Sequence, residues 1–306
     1  MSTGILNKVS PYWLLALTTL FWAGNFNVGR AIAEAVPPLG LSFWRWTVAF
    51  VILLPFAYGP MKQQWPALKQ HIKLVLVLSL FGVAAFNSLV YLALQTTTAI
   101  NVAMIQSTCP ILILLISTIF WANKTGAQQW AGVLVSLTGA GVILIRGDFS
   151  VLANLDFKTG DLWMLAAACS WAIYTALLRK LPDALKGLPF LGYSMLMGIV
   201  MIFPFYLAET LSGRPMPFSS TSLSGIAYVS IFASLLAFLF WNNATSRIGA
   251  NHTGQFLHLI PVFGITIAVL VLGETLENFH LIGILLVAIG LALANITIRS
   301  KTTAKP

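Results

Sequence analysis

The sequence predicts an all-α polytopic membrane protein: ten transmembrane helices arranged as two inverted five-helix repeats. Three observations carry this. Of 306 residues, 58% are hydrophobic and 8% charged, against roughly 25% charged in soluble domains, so the main solvent is lipid. The hydrophobic residues form runs long enough to cross a hydrocarbon core, about 20 residues each. The chain also repeats itself. At an offset of 151 residues Pro110 falls on Pro261, Gly132 on Gly283, Gly139 on Gly290 and Pro38 on Pro189. At 149, Trp22-Ala23 falls on Trp171-Ala172 and Pro55-Phe56 on Pro204-Phe205. With five runs per half, the second half must lie upside down relative to the first, an arrangement on which alternating access is built.

The first run, 11–34, follows Lys8 and carries Trp22, Gly24, Asn25 and Asn27. Lys8 and Ala31-Ile32-Ala33 imitate a secretory signal, but the length of the run and its Asn25, Asn27 and Arg30 argue against one. The second, 38–58, holds Trp44-Arg45-Trp46; Gly59-Pro60 and Pro66 then mark a connection over 58–70 long enough for surface structure. Runs at 71–94 and 99–121 follow, the latter bent at Pro110. The fifth, 128–146, shows Gly132, Gly139 and Gly141. From Gly147 to Gly160 the chain turns polar, with Asp148, Asn154, Asp156, Lys158 and Thr159. This reads as a linker, 147–160, between repeats at 1–146 and 161–306. The second half runs 161–181, 188–210, 222–244, 250–272 and 278–298, with its long connection, 212–222, in the corresponding place. Open sheets are excluded at membrane depth, and the runs lack the alternation of a barrel. The glycines of the fifth and tenth runs let backbones approach closely; they are expected to pack helices, a homodimer face among the options.

Charge orients the chain. If the N-terminus starts in the cytoplasm, that side holds Lys8, then Lys62, Lys69 and Lys73, Lys124, then Arg179, Lys180 and Lys186, Arg247, then Arg299, Lys301 and Lys305. The other side and its helix ends hold Arg30, Arg45, Arg146, Lys158 and Arg214. The bias follows the positive-inside rule and puts both termini in the cytoplasm, with the protein in the cell inner membrane. The net charge of +9 is scattered over many short segments, so nucleic acid is excluded as a partner and the bilayer with its anionic headgroups is the expected one. Cys109 and Cys169 sit in apolar runs as small hydrophobes. His252 and His258 lack a neighbouring carboxylate or cysteine, so no metal, no cofactor and no catalytic group is expected.

The segments Leu272-Gly273-Glu274, Phe279-His280-Leu281-Ile282-Gly283 and Ala288-Ile289-Gly290 resemble the close of an EamA-type repeat of the drug/metabolite transporter superfamily. So does Trp22-Ala23-Gly24-Asn25, and with Arg45 the resemblance covers nearly the whole chain. More narrowly, the sequence is similar to the YddG-like exporters of amino acids, chiefly aromatic ones. The resemblance implies an exporter of small metabolites, with amino acids as the substrate class; drugs or nucleoside-like compounds are the alternative. A membrane scaffold or sensor is the alternative of another class, but the tail after Arg299 is too short for a signalling module. In the first repeat Asn123 stands where the second has Glu274. Small multidrug-resistance proteins of the same superfamily couple protons through a carboxylate deep in their first helix. Here Glu34, Asp148, Asp156, Asp161, Asp183, Glu209, Glu274 and Glu277 all fall at run ends or in loops, which weakens a proton/cation exchange reading.

Polar residues at membrane depth are the candidates for a site. Arg45 either snorkels between its flanking indoles or offers its fork to a substrate carboxylate. Asn25 either bonds a neighbouring helix or holds a zwitterion, while Asn27 reads as structural. Asn87 and Tyr91 in the third run and Gln106 in the fourth gather with Asn101 and Ser107. Trp163, Ser170 and Tyr174 are spaced seven and four apart on one face, fit to stack a flat side chain unless the aromatic groups are interfacial anchors. His258 reads as hydrogen-bonded structure or a proton relay. Asn25, Asn87, Tyr91, Gln106, Trp163, Ser170, Tyr174 and His258 are therefore the substrate-binding candidates, Arg45 the carboxylate contact, and Pro110 and Pro261 the gating elements.

Overall fold

Proline and glycine decide where the rods of this molecule start, bend and touch. The computed structural model describes residues 3–32, 36–97, 99–121, 126–153, 158–272 and 276–295, and every element among them is helical. A short helix, Thr3–Lys8, precedes α1 (Pro11–Ile32) and α2 (Pro38–Gln63). Then come α3 (Trp65–Thr96), α4 in two pieces (Ala99–Gln106 and Cys109–Trp121) and α5 (Ala127–Leu144). In the second half, α6 (Thr159–Lys180), α7 (Leu188–Leu211) and α8 (Ser220–Ile248) lead to α9 and α10 (Asn278–Asn295). The rod α9 is assembled from Ala250–Gln255, a 3-10 turn at Phe256–His258 and Leu259–Leu272.

Among the described residues seven helices, α2 to α8, are long and apolar enough to cross a membrane, fewer than the ten expected. The α1 rod carries the polar Asn25, Asn27 and Arg30, and α9 is broken into pieces, while α9 and α10 both run up to residues outside those described. The expected connection over 58–70 carries helical structure of its own: Gln64 (φ −95°, ψ 13°) turns the chain after α2, and a second non-helical residue, His71 (φ −119°, ψ 21°), kinks α3 where the third run was expected to begin. Pro66 sits in the first turn of α3, where a missing N–H removes no helix bond, so prolines that look like loop residues are compatible with continuous rods. Residues 154–157 of the linker, Asn123 and Glu274 lie outside the described residues; Ser150–Ala153 forms one helical turn.

Each half's helices pack mainly on the other half. The α2 rod lies on α7, α5 on α10, α3 on α6 and α1 on α8, while α6 packs on α4 and α1 on α9. Helices of the same rank pair with each other, or a pair in one sense has its counterpart in the other. Both third-rank rods, α3 and α8, contain a π-helical stretch, at Leu80–Ala85 and Val229–Leu236. Such bulges add a residue to a turn and leave a carbonyl out of the regular ladder.

The α5–α10 contact is made by glycine. A Cβ on Gly132 would stand 2.7 Å from the Gly290 carbonyl oxygen, and one on Gly139 2.7 Å from that of Gly283. Without a hydrophobic force between helices in lipid, such backbone approach supplies the dispersion that holds them. Gly132, Gly139, Gly283 and Gly290 are therefore engaged with each other inside one chain, while Gly141 faces open space. Gly139→Val should lower the melting temperature in detergent, at a cost of about 1–3 kcal/mol for overpacking. Gly141→Ala, with nothing within 4 Å of the added methyl, should leave it unchanged; equal effects of the two would show that the glycine contact does not hold the pair together.

Candidate functional site

Arg45 enters the middle of the molecule from α2, and three other rods close around it. The residue is 0% exposed, so its guanidinium does not snorkel to an interface. Nε donates to Ser234 Oγ on α8 at 2.7 Å. Nη1 donates to Asn87 Oδ1 at 2.8 Å and Tyr91 Oη at 2.6 Å, both on α3, and reaches Asn25 Oδ1 on α1 at 3.4 Å. The Tyr91 hydroxyl in turn donates to Asn25 Oδ1 at 3.1 Å. The guanidinium carbon lies 5.2 Å from the Trp46 ring centre and 5.7 Å from that of Tyr91, within cation–π range. Amides, a phenol, a hydroxyl and two rings thus surround the cation, and none of its hydrogen-bonding partners is a carboxylate. Arg45 Nη2 and Asn87 Nδ2 are buried with no partner.

Beside this network lies a void of about 10 Å³, the space of roughly one water. Asn25, Asn87 and Gln106 supply its polar lining, and Trp22, Phe86 and Trp171 its aromatic one. Gln106 Oε1 and Trp171 Nε1 are also buried without partners. Three residues that line this small space, Asn87, Gln106 and Trp171, therefore each carry an unpartnered polar atom, which is costly to leave so. Trp22 and Trp171, which correspond in the two halves, meet edge to face at 5.0 Å. Trp22 is fixed by a 3.0 Å bond from Nε1 to the Ala233 carbonyl in the α8 bulge. Trp241 lies 5.1 Å from Trp22 and 5.4 Å from Trp171, extending the layer.

The other expected residues fall at different depths. Tyr174 is fully buried under Trp171 at 5.1 Å and donates its hydroxyl to Asn242 Oδ1 at 2.7 Å, one layer away from the void. Ser170 is buried on α6 without lining it. Trp163 is 43% exposed near the start of α6 and joins neither the void nor the Arg45 network. The Asn27 side chain lies outside the described residues. His258 accepts at Nδ1 from Ser136 Oγ (2.6 Å) and donates from Nε2 to the Ser107 carbonyl (2.9 Å), so both ring nitrogens are engaged. Pro110 and Pro261 each follow a helix break, at Ser107-Thr108 and at Phe256–His258. His258 joins the two breaks. Sequence reasoning passed over Ser234, Asn242 and Phe86. It singled out Trp22 and Trp171 by the repeat, yet did not place Trp22 in the site.

At the start of α6 a second polar cluster ties rods together. Asp161 is 5% exposed and accepts from Thr97 Oγ1, from Asn101 Nδ2 at 3.1 Å and from the Lys158 backbone N–H at 2.7 Å. Nearby in rank, Glu209 at the end of α7 accepts from the Gly40 N–H at 2.7 Å, capping the start of α2, where a carboxylate also meets the positive end of the helix dipole.

The EamA-like transporter family matches this chain over residues 9–145 and 158–296. The chain is 26% identical over 300 residues to the uncharacterized transporter YyaM of Bacillus subtilis (strain 168), covering 96% of each. It is 26% identical over 283 residues to the protein named "Probable terminal-alkyne amino-acid exporter" of Streptantibioticus cattleyicolor, covering 92% of each. A crystal structure 18% identical in sequence shares its fold, with a TM-score of 0.72 over 92% of this chain and 95% of the other. Matched through both of its halves, the chain belongs to the EamA-like transporter family and is a multi-pass membrane transporter, not an enzyme.

Proposed function

We propose that this transporter exports small amphipathic metabolites that carry a carboxylate, chiefly amino acids with aromatic or other bulky neutral side chains. It works by alternating access between two inverted halves of five helices each, 1–146 and 161–306, joined by the linker 147–160. Both termini lie on the cytoplasmic side of the cell inner membrane, as the lysine and arginine bias requires. The exchange of partners between corresponding rods supports the inverted arrangement, and the relative named as an amino-acid exporter supports the substrate class.

One observation carries the substrate reading: a buried guanidinium with an unused N–H edge and no acidic partner stands beside a void lined by amides and indoles. A substrate carboxylate pairs with Arg45 through the fork geometry that arginine offers. Asn25, Asn87 and Gln106 take the ammonium and remaining oxygens, with Gln106 Oε1 as an acceptor for the ammonium. Trp22, Phe86 and Trp171 receive the side chain, Tyr91 holds Arg45 in place, and Tyr174 backs Trp171. Ser170 and His258 act from behind this layer. Trp163 has no part in it, because its exposed position serves an interfacial anchor better. The void is too small for an amino acid, so loading requires α4 and α9 to swing at the breaks before Pro110 and Pro261.

Counterflow in proteoliposomes tests this. Labelled phenylalanine should exchange faster than through empty liposomes and faster than a labelled purine; movement of the purine alone would replace the substrate class. The rate should be the same with and without a pH gradient, because among the described residues the void has no carboxylate and the nearby His258 has both nitrogens engaged. A gradient-driven rate would mean that a proton is carried after all. Arg45→Lys keeps the charge and loses the fork, and should weaken phenylalanine exchange by about tenfold, the equivalent of one charge-assisted bond. An unchanged rate in a variant of normal melting temperature would remove Arg45 from the site.

A further inference from the structure

A second cavity, of about 220 Å³, opens between the short N-terminal helix, the end of α6, the start of α7 and the end of α8. We propose that it is a second station for the transported solute, that it takes a zwitterionic amino acid, and that the Tyr174–Asn242 pair is the partition between it and the central void. The proposal rests on the amino-acid reading given above.

The partition is one residue layer thick. Asn242 lines the cavity and accepts the Tyr174 hydroxyl; Tyr174 stacks on Trp171; Trp171 lines the central void. Asn242 Nδ2 is buried with no partner, an unused donor at the floor of the cavity. Tyr174 is also packed against backbone: a Cβ on Gly82, in the α3 bulge, would overlap the Tyr174 ring. The ring thus packs against the same bulged rod that carries Asn87 and Tyr91.

The lining fits an amphipath with two charges. Leu178, Leu181 and Phe190 form an apolar wall, and Asn243 and Ser246 a polar one. Lys186 and Asp183 lie on the lining as an ion pair at 2.6 Å, with Lys186 36% and Asp183 94% exposed at the side chain. An exposed pair of this kind contributes little and separates easily, offering a cation to a carboxylate and an anion to an ammonium at one position. A cationic drug or a neutral base finds only half of this match. The wall is also held in place, since Asn243 Nδ2 donates to Asn7 Oδ1 at 3.0 Å and Arg247 Nη1 to the Val9 carbonyl at 2.6 Å. A preformed cavity avoids the ordering cost that the closed central void imposes on its ligand.

Equilibrium binding of labelled phenylalanine to the full chain in detergent, read together with counterflow, separates the two stations. The wild type should saturate at two phenylalanines per chain. Asn87→Leu, which damages the central site, should keep one, and adding Ser246→Trp, which fills the lower cavity from an exposed helix position, should remove it. Ser246→Trp alone should keep central binding yet slow counterflow by about tenfold. Should that variant fold poorly, Ser246→Cys capped after purification with a bulky thiol reagent makes the same obstruction in folded protein. One phenylalanine per chain in the wild type, none with Asn87→Leu and full-speed counterflow with the cavity filled would overturn the second station and leave the amino-acid reading standing. If phenylalanine neither binds nor moves with the wild type, the amino-acid reading falls and the station with it.

Discussion

A guanidinium held away from water without an acid to pair with it sets the terms for the centre of this protein. Even after relaxation, burying an ion costs several kcal/mol, and Arg45 is fully buried. The compensation is assembled from dipoles on three rods, with Asn25 from α1, Asn87 and Tyr91 from α3, and Ser234 from α8. Dipoles solvate a cation but do not cancel its charge, so the surrounding space keeps a positive potential that favours an anion. The same contacts make one side chain the tie between helices of both halves. Any relative shift of α1, α3 or α8 changes how well the charge is solvated, which links occupancy of the site to the arrangement of the rods.

Interruptions in the helices supply what this centre needs from the backbone. Irregular backbone is tolerated at membrane depth only where its groups find partners inside the protein, and the bulge of α8 and the break of α4 both have them. Ser234 donates to the Val229 carbonyl at 2.8 Å within the α8 bulge while accepting from Arg45. The neighbouring Ala233 carbonyl holds Trp22. At the break in α4 the Ser107 carbonyl is taken by His258, at the break in α9, and the other nitrogen of that ring is met by Ser136 of α5. The histidine is thus best understood as a clasp between two hinges, satisfied on both sides in its neutral form.

Much of this was legible because lipid leaves no idle polar groups. Asn25, Asn87 and Gln106 were visible as costly residues in apolar runs, and they meet at one void. The repeat offset picked out Trp22 with Trp171 and Pro110 with Pro261 without saying what they touch. Depth was harder to read than facing. Trp163 shares a helical face with Tyr174, but eleven residues of helix are about 16 Å, enough to carry it from the interior to an exposed end. Arg45, only two turns from the start of α2, reads as an interfacial residue until the surrounding rods are known. Ser234 gave no signal, because the π-helical stretch it lies in departs from the 3.6-residue period on which a facing argument depends. The connection after α2 was legible as a place and not as a form: Gly59-Pro60 and Pro66 mark it, yet Pro60 lies within α2 and Pro66 in the first turn of the next helix, and the breaks fall at Gln64 and His71.

The two ends of α6 are closed by unequal chemistry, and this bears on how the cycle runs. Its start is sealed by the Asp161 carboxylate with donors from Thr97, Asn101 and the Lys158 backbone, bonds of the charge-assisted kind that are the stronger class. Its other end carries a neutral bond from Tyr174 to Asn242 beside a cavity that is already open. On the proposed route a solute entering from that cavity meets this bond before the Asp161 cluster. It cannot by itself replace the bonds of Asp161, since a ligand shifts a conformational equilibrium only by its difference in affinity for the two states. On the proposed cycle water would replace them, since a carboxylate exposed by opening is hydrated and that hydration offsets part of the cost of breaking its bonds. The solute has only to favour the rearrangement around Arg45, and hydration of Asp161 completes it.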